Sequence, residues 1–278
     1  MGRRVVAFAP GHISGYFQRI DGTTTGSTGS IGAGIVINRG VTLTMTEGDS
    51  SCISVKNSDT DGWLIKEVLR TLGVSASVTV DAAMPIGAGF GMSAAGLLAA
   101  YHAANRLFDL GYSEAELTAL AHDFEVRHGT GLGDVAAASG GGIVVRTSAG
   151  IDGVSRRIFT DEPICAVSFG AIPTPDIITS PEKMEKVRAA FPKTEPDDLA
   201  GLMKNSRSFA EKSGLLSPRL KEILAVCDVS GVPASMTMLG DGIFACGPDA
   251  ETVLSRFGEV YTLSVSKTGP VILEDSYV

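Results

Sequence analysis

The sequence lacks several features that would assign it to a common class of protein. Basic residues are not in excess, because 31 Asp and Glu outnumber 23 Lys and Arg. The resulting net charge of -8 excludes general nucleic-acid binding. No apolar run reaches the length of a membrane span, so no membrane partner is expected. The N-terminal segment is too short for a signal peptide, which predicts a cytoplasmic protein.

Cysteine is scarce, and neither a CxxC pair nor an internal repeat is present. The cysteines Cys52, Cys165, Cys227 and Cys246 lie far apart in apolar segments, which predicts buried, reduced thiols. The chain has 278 residues, of which 44% are hydrophobic and 19% are charged. This composition is typical of a well-packed globular protein with one large or two ordinary domains.

Strands and helices are predicted in mixed order, without strict βα alternation, and this favours an α+β fold with two layers. Arg4 to Ala9 is predicted as a strand that ends in a turn at Pro10-Gly11-His12. Residues 21–34 are nearly all small, which predicts a mobile surface loop or a wall around a ligand. A hairpin is expected from residue 234 to residue 246, with its turn at Gly240-Asp241-Gly242.

The most informative feature present is the glycine-rich stretch from Met84 to Gly96. Three alternating glycines precede Ser93, which opens an apolar helix. Glycines let backbone N–H groups approach a ligand closely, and a helix N-terminus adds unpaired donors and partial positive charge, so this stretch predicts a phosphate cradle. The absence of lysine excludes a Walker A loop, and the spacing differs from the dinucleotide fingerprint. A tight turn that serves packing alone is the structural alternative.

A second cluster contains His122, Glu125 and His128, and the segment from Gly129 to Asp134 follows it. On a helix the three side chains would spread over about 120°, which makes a poor zinc tripod. His122 and Glu125 can form a solvated ion pair, and Asp134 can be a helix N-cap. Beside a phosphate cradle, the two carboxylates also suit Mg²⁺ binding and the orientation of an attacking hydroxyl.

Three segments resemble motifs of the GHMP kinase superfamily. Pro10-Gly11-His12 is similar to the first motif, and Pro85 to Ala95 is similar to the phosphate loop. Glu125-x-x-His128-Gly129 followed by Asp134 resembles the mevalonate-kinase stretch that supplies a metal ligand and a catalytic aspartate. A finer resemblance, to the archaeal pantoate kinases, covers both halves of the chain, in the segments Pro10–Phe17, Gly29–Gly34, Gly87–Ala94 and Ser235–Gly240.

The resemblance implies a two-domain GHMP kinase fold. Residues 1–158 would form a ribosomal protein S5 domain 2-like N-terminal domain, and residues 159–278 a ferredoxin-like α/β sandwich. It also implies ATP and Mg²⁺. Ser93 and Glu125 would coordinate Mg²⁺, and Asp134 would accept the proton of the attacking hydroxyl or orient it. The ATP phosphates would be held by Gly87, Ala88, Gly89, Phe90, Gly91, Met92 and Ser93.

The implied acceptor is pantoate, a small carboxylate with two hydroxyls, phosphorylated for coenzyme A synthesis. Arg146, which follows the predicted strand Ile143-Val144-Val145, is the predicted carboxylate partner, because arginine pairs with carboxylates in a bidentate manner. A surface arginine at a strand end is the structural alternative. Weaker candidates for substrate contacts are His122, Ser30, His12 and Thr174. The alternatives are a kinase that acts on homoserine or mevalonate, and a non-catalytic metabolite sensor on the same fold. The resemblance also makes a homodimer plausible.

Overall fold

The computed structural model describes residues 2–57, 60–172 and 180–277. The strands are β1 (Arg3–Ile20), β2 (Gly29–Glu47), β3 (Cys52–Val55), β4 (Ala76–Ala82), β5 (Ile143–Arg146), β6 (Val154–Ile158), β7 (Ile164–Ala171), β8 (Ala234–Met236), β9 (Gly240–Cys246), β10 (Tyr261–Leu263) and β11 (Val271–Tyr277). The α-helices are α1 (Trp63–Leu72), α2 (Met92–Leu107), α3 (Glu114–His128), α4 (Asp134–Ala138), α5 (Pro181–Ala190), α6 (Leu199–Ser213), α7 (Pro218–Val229) and α8 (Ala250–Leu254). The mixed order confirms the predicted α+β class.

The first sheet is organised around the long strands β1 and β2, which pair antiparallel along their whole length. Its order is β11-β1-β2-β4-β3, and β3 pairs parallel to β4. The N-terminal half of β2 pairs with β5, and β6 extends the sheet beyond β5. β2 therefore connects the part of the sheet that contains β4 with the part that contains β5 and β6, and the candidate active-site residues are distributed between these two parts.

Helix α2 packs against β1 and β2 and forms the centre of the first layer. It is rich in alanine, and nearly every residue is buried, including Leu97, Leu98 and Tyr101. Small side chains let a helix approach a sheet closely, and the large ones then fill the remaining space. Helix α3 begins with a capping box of Ser113 and Glu116 and packs against α2.

The second sheet has four strands in the order β10-β7-β9-β8, and its paired strands are antiparallel. Helices α6 and α7 pack against β8, and α8 packs against β7. β6 of the first sheet ends at Ile158 and β7 of the second begins at Ile164, and β11 returns to the first sheet to pair with β1. This C-terminal strand is not among the sequence predictions.

Two predicted turns are wrong. β1 continues through Pro10-Gly11-His12, and the register shifts at Pro10, so the missing N–H of proline falls at an irregularity of the ladder. Gly240-Asp241-Gly242 lies within β9, and the hairpin turns earlier, at residues 237–239, where Leu239 has a φ of 63°. A Cβ on Gly240 would lie 2.0 Å from the Ala88 carbonyl oxygen, so this glycine permits close packing instead of a turn.

The predicted loop at residues 21–34 is only partly a loop. β2 already begins at Gly29, and Thr24 caps a short 3-10 helix at Thr25–Ser27. The thiols are free, but Cys52 is exposed on β3, so the prediction of four buried thiols is wrong for this one. Within the described ranges, no helix is long and apolar enough to span a membrane.

Candidate active site

The glycine-rich stretch forms one wall of a cavity. Gly87, Gly89 and Gly91 line it, and each has a φ between 68° and 82°, in the left-handed region that favours glycine. The residues between them are anchored in the core. Ala88 and Phe90 are each 1% exposed, and the Phe90 ring contacts Tyr261 of the second sheet at a centroid distance of 6.2 Å. Glycines therefore face the cavity while their neighbours fix the backbone.

Helix α2 begins at this wall. Gly91 is its N-cap, and Met92 and Ser93 are its first two residues. The first intrahelical bond runs from the Ala95 N–H to the Gly91 carbonyl, so the preceding N–H groups point toward the cavity end of the helix. Donors in this position suit an anion such as a phosphate.

Asp134 lies across the cavity from the glycines, at the start of α4. Gly133 is the N-cap, so the predicted N-cap role of Asp134 is wrong by one residue. Asp134 Oδ1 accepts a hydrogen bond from His12 Nδ1 at 2.6 Å. Burial alone would raise the pKa of Asp134, but the His12 hydrogen bond and the charge of Arg146 outweigh it and lower the pKa below its usual range. The carboxylate is therefore ionised at neutral pH.

His122 and Glu125 lie behind this wall, and both are 1% exposed. His122 Nε2 donates to the Thr28 carbonyl oxygen at 3.0 Å, and its Nδ1 lies 3.5 Å from Glu125 Oε2. The prediction of a solvated pair is wrong, because the segment that contains Thr28 packs over this face of α3. Burial raises the pKa of Glu125, and His122 opposes this effect.

The oxygen atoms near Asp134 fit Mg²⁺. Glu125 Oε1 accepts from the Asp134 N–H at 3.2 Å, and Oε2 is buried without a hydrogen-bond partner in the described part of the chain. A Cβ on Gly131 would lie 2.3 Å from Glu125 Oε1 and 3.2 Å from Asp134 Oδ2, so a glycine keeps the space between the carboxylates open. Mg²⁺ is commonly held by one or two carboxylates together with substrate phosphates.

The zinc tripod does not form. His128 packs against Phe124 at a centroid distance of 4.2 Å, away from the Glu125 carboxylate. Across residues 2–57, 60–172 and 180–277, no three His, Cys, Asp or Glu side chains are grouped to hold a metal ion.

Arg146 ends β5 and is 3% exposed. Its Nε and Nη1 have no hydrogen-bond partner among the residues that the structure describes. Gly133 makes room for the guanidinium, because a Cβ there would lie 1.5 Å from Arg146 Nη1 and 2.7 Å from Ser30 Oγ. Burial lowers the pKa of Arg146, while Asp134 and Glu125 oppose this effect. A buried guanidinium with unused donors is suited to an anionic ligand.

Two cavities meet at Asp134. The phosphate-loop cavity is lined by Ser14, Gly87, Gly89, Gly91, Met92, Ser93, Ala94, Thr130, Asp134, Met238 and Leu239. The arginine cavity is lined by Ser14, Phe17, Ser30, Leu132, Gly133, Asp134, Arg146 and Leu239. Asp134 therefore lies where a group held by the glycine loop would face a group held by Arg146.

An apolar pocket adjoins the phosphate-loop cavity through Met92, Ser93 and Thr130. Its other walls include Val41, Val80 and Trp63, the single tryptophan of the chain. Trp63 is 43% exposed, and its ring stacks on Phe124 at a centroid distance of 6.1 Å. A flat aromatic surface at the side of an apolar pocket suits a planar ring.

The structure brings Ser93, Asp134, Arg146 and Ser30 to the cavities, whereas His12 and His122 lie buried behind them. Thr174 falls in residues 173–179, outside the described ranges. Sequence reasoning assigned no role to Ser14 or Thr130, whereas Leu239 lies in the Ser235–Gly240 segment that carries part of the resemblance. Ser14 belongs to the Pro10–Phe17 segment, and the resemblance of that segment to the family motif could have indicated a position at the site. The direction of the Ser14 side chain, however, depends on the register shifts of β1.

Comparison with known proteins agrees with the motifs. Residues 62–142 match the model of the GHMP kinases N terminal domain. The pantoate kinase of Methanospirillum hungatei is 42% identical over 97% of this chain and 96% of that protein. The pantoate kinase of Methanocaldococcus jannaschii is 32% identical over 88% of this chain and 93% of that protein.

A solved structure described as a phosphotransferase related to the CoA biosynthesis pathway also matches the whole fold. It has a TM-score of 0.81 and 26% sequence identity, with 97% of this chain and 98% of that chain covered. The fold and the resemblance predicted from the motifs are thus confirmed. The chain belongs to the pantoate kinases, within the GHMP kinase family.

Proposed function

We propose that this protein transfers the γ-phosphate of ATP to the primary hydroxyl of (R)-pantoate, giving (R)-4-phosphopantoate and ADP for coenzyme A synthesis. The names of the two curated relatives support the activity. The observation that carries the mechanism is the position of Asp134, which lines both the phosphate-loop cavity and the arginine cavity.

In this mechanism the backbone N–H groups of the glycine loop and of the first turn of α2 bind the ATP phosphates. The adenine base would occupy the apolar pocket beside Trp63. Arg146 pairs with the pantoate carboxylate, and Ser30, at the same cavity, contacts a substrate oxygen. The substrate hydroxyl then lies next to Asp134, and the γ-phosphorus lies on the side of the glycines.

The pantoate oxygen forms a bond to the γ-phosphorus, the bond from that phosphorus to the β,γ-bridging oxygen breaks, and ADP leaves with the electron pair. Asp134 orients the attacking hydroxyl and receives its proton. A lowered pKa makes Asp134 a weak base, so orientation is its larger contribution in a transition state where the proton leaves late. Ser93 and Glu125 would hold Mg²⁺, which neutralises phosphate charge when bound.

The experiment is a substrate panel with purified protein, ATP and MgCl₂, in which ADP release is followed with pantoate, homoserine or mevalonate. Turnover of pantoate, with phosphorus NMR showing a phosphomonoester, supports the proposal. Turnover of homoserine or mevalonate without pantoate contradicts the assigned acceptor. Calorimetric binding of ATP and pantoate with no ADP release would instead support the sensor.

The same preparation tests the remaining expectations. Chelation with EDTA should abolish turnover, and added MgCl₂ should restore it, if the transfer requires Mg²⁺. Sedimentation analysis tests the homodimer. A cytoplasmic location follows from the proposal, because the reaction draws on cellular ATP.

A further inference from the structure

His12 contacts both sides of the candidate active site. Its backbone N–H donates to the Phe90 carbonyl in the glycine loop at 2.9 Å. A Cβ on Gly91 would lie 2.8 Å from the His12 nitrogen, so loop and strand touch here. The His12 side chain donates from Nδ1 to Asp134 Oδ1 at 2.6 Å. One residue therefore connects the phosphate loop to the carboxylate that faces the acceptor.

The protonation of the His12 ring follows from its surroundings. The residue is 1% exposed, and burial lowers its pKa, so the ring is neutral at pH 7. An ionised carboxylate can only accept a hydrogen bond, so the single ring proton is on Nδ1. The Nε2 atom then carries a lone pair, and it has no partner within the described residues.

This arrangement is specific. A Cβ on Gly34 would lie 2.3 Å from His12 Nε2, so the ring fills a space that only glycine leaves open. A buried acceptor without a donor is unfavourable, and an apolar side chain of the same shape would avoid that penalty. The one polar contact of the imidazole within the described residues is with Asp134.

We propose that His12 is a positioning residue for phosphoryl transfer. It holds Oδ1 of Asp134 with a neutral N–H donor and fixes the carboxylate at a set distance from the phosphate loop through its own backbone. Small displacements of reacting groups reduce rates strongly, which is why a second contact to the base matters. The inference rests on the function proposed above.

The test compares His12→Ala with His12→Asn. Alanine keeps the backbone bond to Phe90 and removes the bond to Asp134, whereas the Asn side-chain amide can donate from nearly the position of Nδ1. We expect kcat to fall about 10- to 100-fold in His12→Ala, with KM for ATP and pantoate nearly unchanged, because a shift of about 1 Å has effects of this size. His12→Asn should recover most of kcat.

His102→Ala is the matched control. His102 is 5% exposed, and its Nε2 makes no hydrogen bond among the described residues but lies 3.5 Å from Glu114 Oε2. It lines a separate cavity beside Arg106 and Glu114. Loss of a buried imidazole there should leave kcat unchanged. Circular dichroism and thermal melting identify any variant that fails to fold.

Nitrogen-15 NMR supplies a readout that does not depend on turnover. The chain has four histidines, so their side-chain resonances can be separated. The resonance lost in His12→Asn should belong to a neutral ring protonated on Nδ1. A ring protonated on Nε2 or on both nitrogens overturns the inference, as does unchanged kcat in His12→Ala or an Asn variant no better than Ala. Wild-type turnover of pantoate tests the proposed function by itself. The ratio of kcat in the variant to kcat in wild type, measured with whichever acceptor is turned over, tests the positioning role of His12.

Discussion

Replacement of Arg146 by methionine should separate substrate binding from stability. The variant keeps most of the aliphatic stem and removes the guanidinium, whose Nε and Nη1 lack partners in the described ranges. In the absence of substrate these donors are buried without hydrogen-bond partners, and only the charges of Asp134 and Glu125 offset the cost of desolvation to the folded state. Their removal should therefore change the free energy of unfolding by less than about 1 kcal/mol, or raise it.

Binding should respond in the opposite way. A bidentate pair with the pantoate carboxylate consists of two charge-assisted hydrogen bonds, each contributing about 1.5–3 kcal/mol. A total loss of about 3 kcal/mol corresponds to roughly a 100-fold decrease in kcat/KM for pantoate, at 1.4 kcal/mol for each factor of ten. KM for ATP should stay near the wild-type value, because Arg146 lies in the arginine cavity and not along the glycine loop.

The assay is ADP release against pantoate concentration at saturating ATP, together with urea unfolding. Arg156→Met is the control, since Arg156 lies on the neighbouring strand β6 and donates to Asp197 at 2.7 Å. It should leave both kinetic constants unchanged. The reasoning is refuted if kcat/KM for pantoate in Arg146→Met stays within about threefold of wild type, or if its free energy of unfolding falls by more than about 3 kcal/mol, the cost of breaking a buried ion pair.

Four further outcomes are expected. Asp134→Asn should lower kcat about 100-fold or more with little change in KM for pantoate, and near-normal turnover in the kinetic assay would contradict its role. Gly89→Ala should raise KM for ATP about tenfold or more, because the φ of Gly89 is 82° and the new Cβ would lie 2.8 Å from the Met238 carbonyl oxygen. An unchanged KM would show that the glycine loop does not bind ATP. Addition of ATP should change Trp63 fluorescence, and a flat titration at concentrations that saturate turnover would place the base elsewhere. Burial lowers the pKa of His102, so the unfolded chain binds a proton before the folded one does, and the wild-type free energy of unfolding should fall as pH drops below about 6.5. The fall is at most about 1.4 kcal/mol per pH unit for each histidine whose pKa burial lowers. His102→Asn should show a shallower fall in urea titrations, and a slope equal to that of wild type would contradict the role of His102.

Local sequence signals predicted the start of β1 and the helix that follows the glycine-rich stretch. The capping box at Ser113 and Glu116 and the left-handed Gly73 that ends α1 are local effects, so they are visible without a fold. Where a local turn signal conflicted with strand pairing, the strand pairing determined the structure. β1 passes through Pro10 because β2 supplies partners on both sides of a bulge. β11 was missed, because its role depends on β1, which lies more than 260 residues earlier in the chain.

For the site, the sequence alone determined the chemistry available: the glycine-rich loop at a helix start, Ser93, Glu125, Asp134 and Arg146. Glycine conformation and side-chain charge are properties of single residues, so a motif carries them directly. Only the tertiary structure decided which groups meet. Burial of His12 turned a candidate substrate contact into a partner of Asp134, and burial of His122 with Glu125 replaced a solvated pair. The solvent exposure of a side chain and its distance from other groups arise from packing between distant segments of the chain. Because they determine the protonation and orientation of the side chain, no local sequence pattern encodes these properties.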